Sequence, residues 1–334
     1  MDVRSFLNGL AVFALAYFVL GFLFLAANST VFVSITADRE EAKAILLESG
    51  AYEKAGPLLR DYLAGQEEAQ NLPLDQPAVR QTFDESLNGK VIQNAVEPAV
   101  DDVYAWLETG EGEPSFNINL KPAKDRLADN ISNLAADRLA KLPACSFEQL
   151  LELRSSQIDP FSLPCAPPGT DKGTVKDQIN GALYHEELGI FAGQNIKFDD
   201  FGQAETEGVA DAVKNAPEAF QSASRTPWLA AVLGLLAAIG LVFVAPTRSK
   251  GATYLGITLL ITALVLAVAP YTVNLLLEGA MEGSEPTFTS DILLPVLKIF
   301  NARAASIYFT FGGISLIAGT IALIVGRRLK AEEK

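Results

Sequence analysis

Histidine is almost missing from this chain of 334 residues, which has one, His185, and cysteine is nearly as rare, with two. Zinc sites built on histidines, and serine or cysteine nucleophiles activated by a histidine base, need more than this. A glycine-rich phosphate-binding loop is also missing. These gaps predict a protein with no catalytic residues and no cofactor. His185 is expected to be a solvated residue beside Glu186 and Glu187, and the alternative is a weak pH sensor.

Charged residues and histidine are missing from four apolar runs, 6–27, 227–245, 254–277 and 304–325. About 20 apolar residues cross the hydrocarbon core of a bilayer as a helix, so the four runs are predicted to be transmembrane helices. The first run ends in small residues, as a signal peptide does, but it is longer than the usual apolar core of one. It is therefore predicted to remain as an uncleaved anchor.

Basic residues concentrate in three segments next to these runs. They are Arg4 before the first run, Arg248 and Lys250 between the second and the third, and Arg327, Arg328, Lys330 and Lys334 after the fourth. Lysine and arginine collect in the cytoplasmic segments of membrane proteins. The sequence therefore predicts a multi-pass protein of the cell membrane with both termini, including the tail 326–334, in the cytoplasm. Residues 28–225 and 278–303 are predicted to lie outside.

Both cysteines, Cys145 and Cys165, fall in the segment 28–225. Disulfides persist in oxidising compartments, so the predicted external location favours a Cys145–Cys165 bond. Closing a loop of about 20 residues is worth roughly 3 kcal/mol in the chain-entropy model. The alternative, two free thiols of a redox or metal site, lacks the expected CxxC spacing.

Acidic residues dominate the same segment, with 33 Asp and Glu against 17 Lys and Arg between Asn28 and Arg225, a net charge of −16. Such a field repels nucleic acid and attracts cationic partners or divalent ions. A weak candidate calcium site consists of Asp199, Asp200, Glu205 and Glu207, but these residues lack the spacing of an EF-hand loop. The simpler interpretation is an acidic surface that keeps the domain soluble, and no metal is predicted.

Apolar residues at helical spacing predict that 28–225 is mainly α-helical. Helices are expected at 36–49 with Thr36 as the cap, at 51–64, from Pro77, at 91–107, where Pro98 should bend or break the helix, at 122–142, at 146–154, at 174–188 and at 206–221. The helix 122–142 should bury Leu127, Ile131, Leu134, Ala135 and Leu139. The segment 31–36 is β-like, and FNINL (116–120) and NIKF (195–198) are predicted to pair as one small two-stranded ribbon.

The apolar runs contain small residues at four-residue spacing, which allow close contact between helices. They are Ala230, Gly234 and Ala238 in the second run and Ser315 and Gly319 in the fourth. Packing within a four-helix bundle is the main interpretation, and self-association is the alternative. Pro270 should kink the third run, with Thr262 as a compensating group. An amphipathic helix containing Ile292, Leu293, Val296, Leu297 and Phe300 is predicted within the external loop 278–303.

The stretches VYAWL, FNIN, PAC and LPCAPPG, within this arrangement of spans, are similar to those of uncharacterised bacterial four-span membrane proteins with a large acidic extracytoplasmic domain. The resemblance covers most of the external domain and implies a bacterial envelope. It implies no activity and no functional residues.

The fold class predicted is therefore a mainly α integral membrane protein with four spans and one extracytoplasmic helical domain. The leading hypothesis is a non-enzymatic envelope protein whose external domain binds a partner, as a scaffold, sensor or accessory subunit. Besides the lipid bilayer, the expected partner is another envelope protein or a second copy that associates through the spans. The alternative is a pore-forming, transport or lipid-handling protein, although the spans lack the buried charges usual in ion-coupled transporters.

Overall fold

The structure is a computed structural model that describes residues 3–64, 76–111, 116–153, 161–169, 171–183, 195–197, 207–281 and 289–332. It is mostly helical. The chain divides into two compact units. We call Met1–Ser49, Leu107–Gly110 and Val213–Lys334 the bundle unit, and Gly50–Trp106 with Glu111–Ala212 the insert unit. The insert unit is thus smaller than the predicted domain 28–225.

Four long helices make up most of the bundle unit: α1 (Val3–Val31), α9 (Glu207–Val244, of which Glu207–Ala212 belong to the insert unit), α10 (Arg248–Met281) and α11 (Leu294–Glu332). All four are long and apolar enough to cross a membrane, as the sequence predicted. Large apolar side chains such as Phe13 and Leu276 are more than two-thirds exposed on them. The α11 helix has 39 residues, which at 1.5 Å per residue gives about 58 Å, against about 30 Å of hydrocarbon. It therefore extends well beyond the predicted span 304–325.

Consecutive long helices of the bundle run in opposite directions. A Cβ built on Gly240 of α9 would lie 3.5 Å from the Leu15 side chain, whereas one on Gly234 would lie 3.4 Å from Phe22 Cβ, so α9 is antiparallel to α1. The α10 and α11 helices are antiparallel because Ser249 contacts Gly326 while Gly256 contacts Gly319. The start of α10 and the end of α11 consequently lie together.

The other end of the bundle has a small apolar core. Its buried residues are Val31, Ile35, Ile45 and Ala304, and Val296, Ile299, Phe300, Ile307 and Tyr308 pack against them. Residues 296–300 belong to the predicted amphipathic segment. They are helical and form part of the continuous α11 helix, into which a π-helical turn (Thr289–Leu293) leads directly. A location of this segment on the outer membrane surface stays a prediction.

The segment after α1 is helical, not β-like. A π-helical turn (Phe32–Thr36) follows α1, and α2 (Arg39–Glu48) comes next. The cap of α2 is Asp38, not Thr36, since the Asp38 side chain accepts hydrogen bonds from the amides of Glu40 and Glu41 at 3.0 and 3.3 Å. The α2 helix ends before Gly50, whose φ of 70° favours glycine.

The insert unit is built from short helices. They are α3 (Ala51–Ala64), α4 (Pro77–Ser86), α5 (Gly89–Thr109, of which Leu107–Thr109 belong to the bundle unit), α6 (Lys121–Leu139), α7 (Phe147–Leu153) and α8 (Lys172–Leu183). Pro98 lies inside α5, so the possible break there is wrong. The α3 helix packs closely on the end of α4, where a Cβ on Gly56 would lie 2.3 Å from the Leu87 carbonyl oxygen.

The α6 helix is the centre of the insert unit. It buries Leu127, Ile131, Ala135 and Leu139, as predicted, while Leu134 is only half-buried. Asn130 Nδ2 donates to Ser86 Oγ of α4 at 2.8 Å, and Lys176 Nζ of α8 lies 2.7 Å from Asp129 Oδ1. The predicted ribbon is present as β1 (Asn117–Asn119) and β2 (Asn195–Lys197), which pair antiparallel with Ile118 opposite Ile196.

Candidate functional site

A disulfide bond joins Cys145 to Cys165 in the insert unit, as the sequence predicted. Backbone hydrogen bonds fix the same two segments: the Cys145 amide donates to the Ala166 carbonyl at 3.1 Å, and the Ala166 amide to the Pro143 carbonyl at 2.9 Å. Cys165 is buried. We call residues 143–150 with 161–166 the stapled turn, because a covalent bond and two hydrogen bonds hold it together.

The α7 helix begins directly after Cys145 with a capping box. The Ser146 amide donates to Gln149 Oε1 at 2.9 Å, and the Gln149 amide donates to Ser146 Oγ at 3.3 Å. Each side chain thereby satisfies an amide that the helix leaves free. The disulfide and the capping box together fix the backbone on both sides of Phe147.

Among the side chains that the structure describes, Phe147 is the most exposed large apolar one, at 77%. Among the side chains of the insert unit that the structure describes, which exclude those of several residues such as 62–64 and 151–153, no other large apolar one is exposed. Phe161 and Leu163, from the other segment of the stapled turn, are buried. An exposed aromatic side chain on a fixed backbone has the character of a binding hot spot, since it contributes a large area at little cost in conformational entropy.

Ion pairs with Arg303 fix α2 in the bundle unit. The Arg303 guanidinium of α11 contacts the Glu41 carboxylate, and its Nη2 lies 2.7 Å from Glu48 Oε1. The Arg303 side chain is 22% exposed, so the charges are partly shielded from water. This Arg303 clamp holds the last helix of the bundle unit before the chain enters the insert unit.

Polar side chains inside the bundle bond to neighbouring helices or to their own backbone. The buried Asn301 Nδ2 donates to the Pro270 carbonyl at 3.0 Å and to Asn274 Oδ1 at 2.8 Å. The Tyr308 hydroxyl donates to Asn28 Oδ1 at 2.8 Å. Thr262 donates to the Thr258 carbonyl at 2.9 Å. The hydroxyl therefore binds about two turns before the Leu266 carbonyl, which is the group that Pro270 leaves without an amide donor.

The predicted small residues lie at contacts between helices. Gly319 meets α10, since a Cβ there would lie 3.0 Å from the Gly256 carbonyl oxygen, and Ser315 is buried. Gly234 meets α1, Ala230 is buried and Ala238 is half-buried. The structure thus accounts for these residues by contacts inside one chain.

Two titratable groups are buried in the part of the insert unit whose side chains are described. Lys124 on α6 is 7% exposed, and burial lowers the pKa of its ammonium group to about 8. Tyr52 on α3 is 3% exposed, and burial, followed by the negative charge of Glu97, raises the pKa of its hydroxyl to about 12. The Tyr52 hydroxyl has no hydrogen-bond partner in the part of the chain that the structure describes.

Several sequence predictions lie outside the described residues. They concern His185, Asp199, Asp200 and Glu205, and the side chain of Glu207 is likewise not described. Among the residues that are described, no group of three or more His, Cys, Asp and Glu is placed to hold a metal ion. The absence of a metal site therefore stays a prediction.

Comparison of the chain with protein-family models, with curated proteins and with solved structures gave no match. The candidate site at Phe147 is therefore identified from the geometry of the structure alone. Sequence reasoning predicted the disulfide and a helix that begins at Ser146 but missed Phe147 and Arg303. The signal for Phe147 was the SFEQ capping pattern directly after a cysteine, and the signal for Arg303 was a lone cation between apolar residues at helical spacing.

Proposed function

We propose that the chain is a non-enzymatic membrane protein that presents the insert unit outside the cytoplasm, where the stapled turn binds a partner protein. Phe147 is the observation that carries the proposal. Leaving a phenylalanine in water forgoes roughly 1.5–3 kcal/mol of burial free energy, and here the backbone on both sides of it is fixed. A partner that covers Phe147 would recover that energy without first ordering the turn.

Two independent features support an external insert unit. The disulfide is typical of an oxidising compartment, and the basic residues between α9 and α10 and after α11 are typical of a cytoplasmic side. Because neighbouring helices alternate in direction, those basic segments lie at one end of the bundle, whereas the chain leaves α1 for α2 at the opposite end. The two lines of argument agree on the same orientation.

The charge of the segment 28–225 indicates which kind of partner protein would bind. With a net charge of −16 for 28–225, the surface favours a protein with basic residues around an apolar pocket that accepts Phe147. The internal bonds of Asn301, Thr262 and Tyr308 support a packing role for the bundle, rather than a polar path for a transported solute.

Photo-crosslinking tests the proposal. A photoreactive phenylalanine analogue replaces Phe147 in one full-length variant and Asn133, an exposed polar residue of α6, in the control. We expect one discrete crosslinked protein from position 147 and none from position 133. The crosslink should weaken when Cys145 and Cys165 are both replaced by serine, because the turn is then less ordered. Equal crosslinking at both positions, or none at 147, would contradict the proposal.

A further inference from the structure

Five exposed cations lie together at one end of the bundle. They are Arg248 and Lys250 in the first turn of α10 and Arg327, Arg328 and Lys330 in the last turns of α11. None of them forms an ion pair among the described residues. Within 245–254 and 324–332 the sequence has one acidic residue, Glu332. We call these five residues the basic end.

A direct contact between the two helices brings the five charges together. The buried Ser249 hydroxyl, between Arg248 and Lys250 in sequence, donates to the Gly326 carbonyl at 2.7 Å. A Cβ on Gly326 would lie 3.0 Å from the Ser249 carbonyl oxygen, so the backbones touch at this point. Two basic residues of α10 therefore lie on either side of the contact, and the basic residues of α11 follow it.

Helix geometry places Lys330 close to α10. Consecutive residues of an α-helix are about 100° apart, so Lys330 lies about 40° from Gly326 around α11 and one turn further along it. Arg327 lies about 100° away, on the flank of the same contact. The arrangement concentrates positive charge at the α10–α11 contact, and it does so with residues from two helices.

Exposed apolar side chains border the cations on the membrane side. Phe243 of α9, Tyr254 of α10, and Ile324 and Val325 of α11 lie within one or two turns of the basic residues and are between 40% and 74% exposed. A free phosphate would contact the cations alone. A phospholipid would contact the cations through its headgroup and the apolar side chains through its acyl chains.

We propose that the basic end is a binding site for a phospholipid with an anionic headgroup. This proposal concerns the bundle and is independent of the partner that we propose for the insert unit. Each basic residue near an anionic membrane surface is worth about fivefold in binding, so two of them account for roughly 25-fold. Binding should also weaken as salt is raised, because exposed charges are screened.

The test compares two full-length variants that lose the same charges. Arg327→Gln/Lys330→Gln removes one arginine and one lysine from the basic end. The control, Arg225→Gln/Lys298→Gln, removes an exposed arginine of α9 and an exposed lysine of α11 from the other half of the bundle. Detergent-solubilised protein is titrated with phosphatidylglycerol, phosphatidylcholine or inorganic phosphate. Bound lipid is counted by native mass spectrometry, and circular dichroism checks that each variant is folded.

We expect phosphatidylglycerol to bind wild type and control equally and Arg327→Gln/Lys330→Gln on the order of 25-fold more weakly. Phosphatidylcholine should bind all three proteins equally weakly. Three results would overturn the proposal: equal binding of phosphatidylglycerol by both variants, equal binding of the two lipids by wild type, or displacement of phosphatidylglycerol by millimolar inorganic phosphate. If either variant fails to fold, Lys250→Gln against Lys298→Gln repeats the comparison with single exposed lysines, and about a fivefold difference is expected.

Discussion

Lys124 is buried, although the residues around it in the sequence predict an exposed lysine. It lies in the first turn of α6, next to the exposed Lys121 and Pro122, and a sequence pattern would assign all three to the surface. Burial at 7% exposure makes the charged form costly, and the pKa falls to about 8. The insert unit therefore contains a lysine that loses its proton near the upper end of the physiological range.

Replacing Lys124 with methionine should change how stability depends on pH. Between pH 8 and 10 the unfolded chain holds a proton on Lys124 that the folded chain releases, so the stability of wild type should rise with pH in that window, by roughly 2 kcal/mol. Below pH 8 both states are protonated, and Lys124 contributes no slope. Thermal unfolding of full-length protein in mild detergent at pH 7, 8, 9 and 10 measures the effect.

The Lys124→Met variant should lose that rise, whereas Lys90→Met, at an exposed lysine of α5, should keep it. The upper limit of pH 10 matters because of Tyr52. Its pKa is raised to about 12, so above pH 10 the folded chain holds a proton that the unfolded chain releases, and stability falls as pH increases. A wild-type stability that is flat from pH 8 to 10 would contradict the buried position of Lys124.

At the scale of elements, the sequence predicted the apolar runs but not the lengths of the helices that contain them. Polar residues such as Lys298 and Arg303 suggested an external loop, because charge marks the edge of a membrane. Charge does not end a helix, however. Between Leu294 and Glu332 only Pro295, in the first turn where proline is tolerated, could interrupt the hydrogen bonds, so α11 continues. Pro98 shows that a proline inside a segment need not end a helix either, because α5 continues from Gly89 to Thr109 with Pro98 inside it.

Which glycines touch another helix was also hidden from the sequence. Gly313 and Gly319 belong to the same apolar run, yet only Gly319 meets α10, and Gly313 has nothing within 4 Å of a built Cβ. The four-residue spacing selected Gly319, which contacts α10, and Ser315, which is buried. It missed Gly256 and Gly326, because the partner helix and the register determine which glycine is covered.

Gly256→Ala should destabilise the bundle. A Cβ there would lie 2.7 Å from Leu323 Cγ and 2.8 Å from the Gly319 carbonyl oxygen, and a backbone atom cannot move aside as a side chain can. Overpacking of this kind costs about 1–3 kcal/mol. We expect a lower midpoint of thermal unfolding for full-length protein in detergent. The matched variant Gly313→Ala should unfold at the wild-type temperature or slightly above, since alanine favours a helix over glycine. Similar midpoints for both variants would contradict the contact.

At the scale of the whole molecule, the proposed orientation rests on two signals that lie far apart in the sequence. The Cys145–Cys165 disulfide indicates an oxidising compartment around the insert unit. The basic end indicates which ends of α10 and α11 face the cytoplasm. Neither signal depends on the other. The sequence could predict both because each rests on residue type alone, whereas the Arg303 clamp and the exposure of Phe147 depend on three-dimensional packing.

Labelling of introduced cysteines tests the orientation. Both native cysteines are in the disulfide, so an introduced thiol is the only one that can react. Asn133 on α6 and Ala331 at the end of α11 are exposed, so neither substitution disturbs a buried contact. In intact spheroplasts of a bacterial expression host, a membrane-impermeant maleimide should label Asn133→Cys and leave Ala331→Cys unlabelled. Detergent should make both react at similar rates, which shows that the difference comes from the membrane. Labelling of Ala331→Cys alone would place the basic end outside, and the proposed orientation would then be wrong.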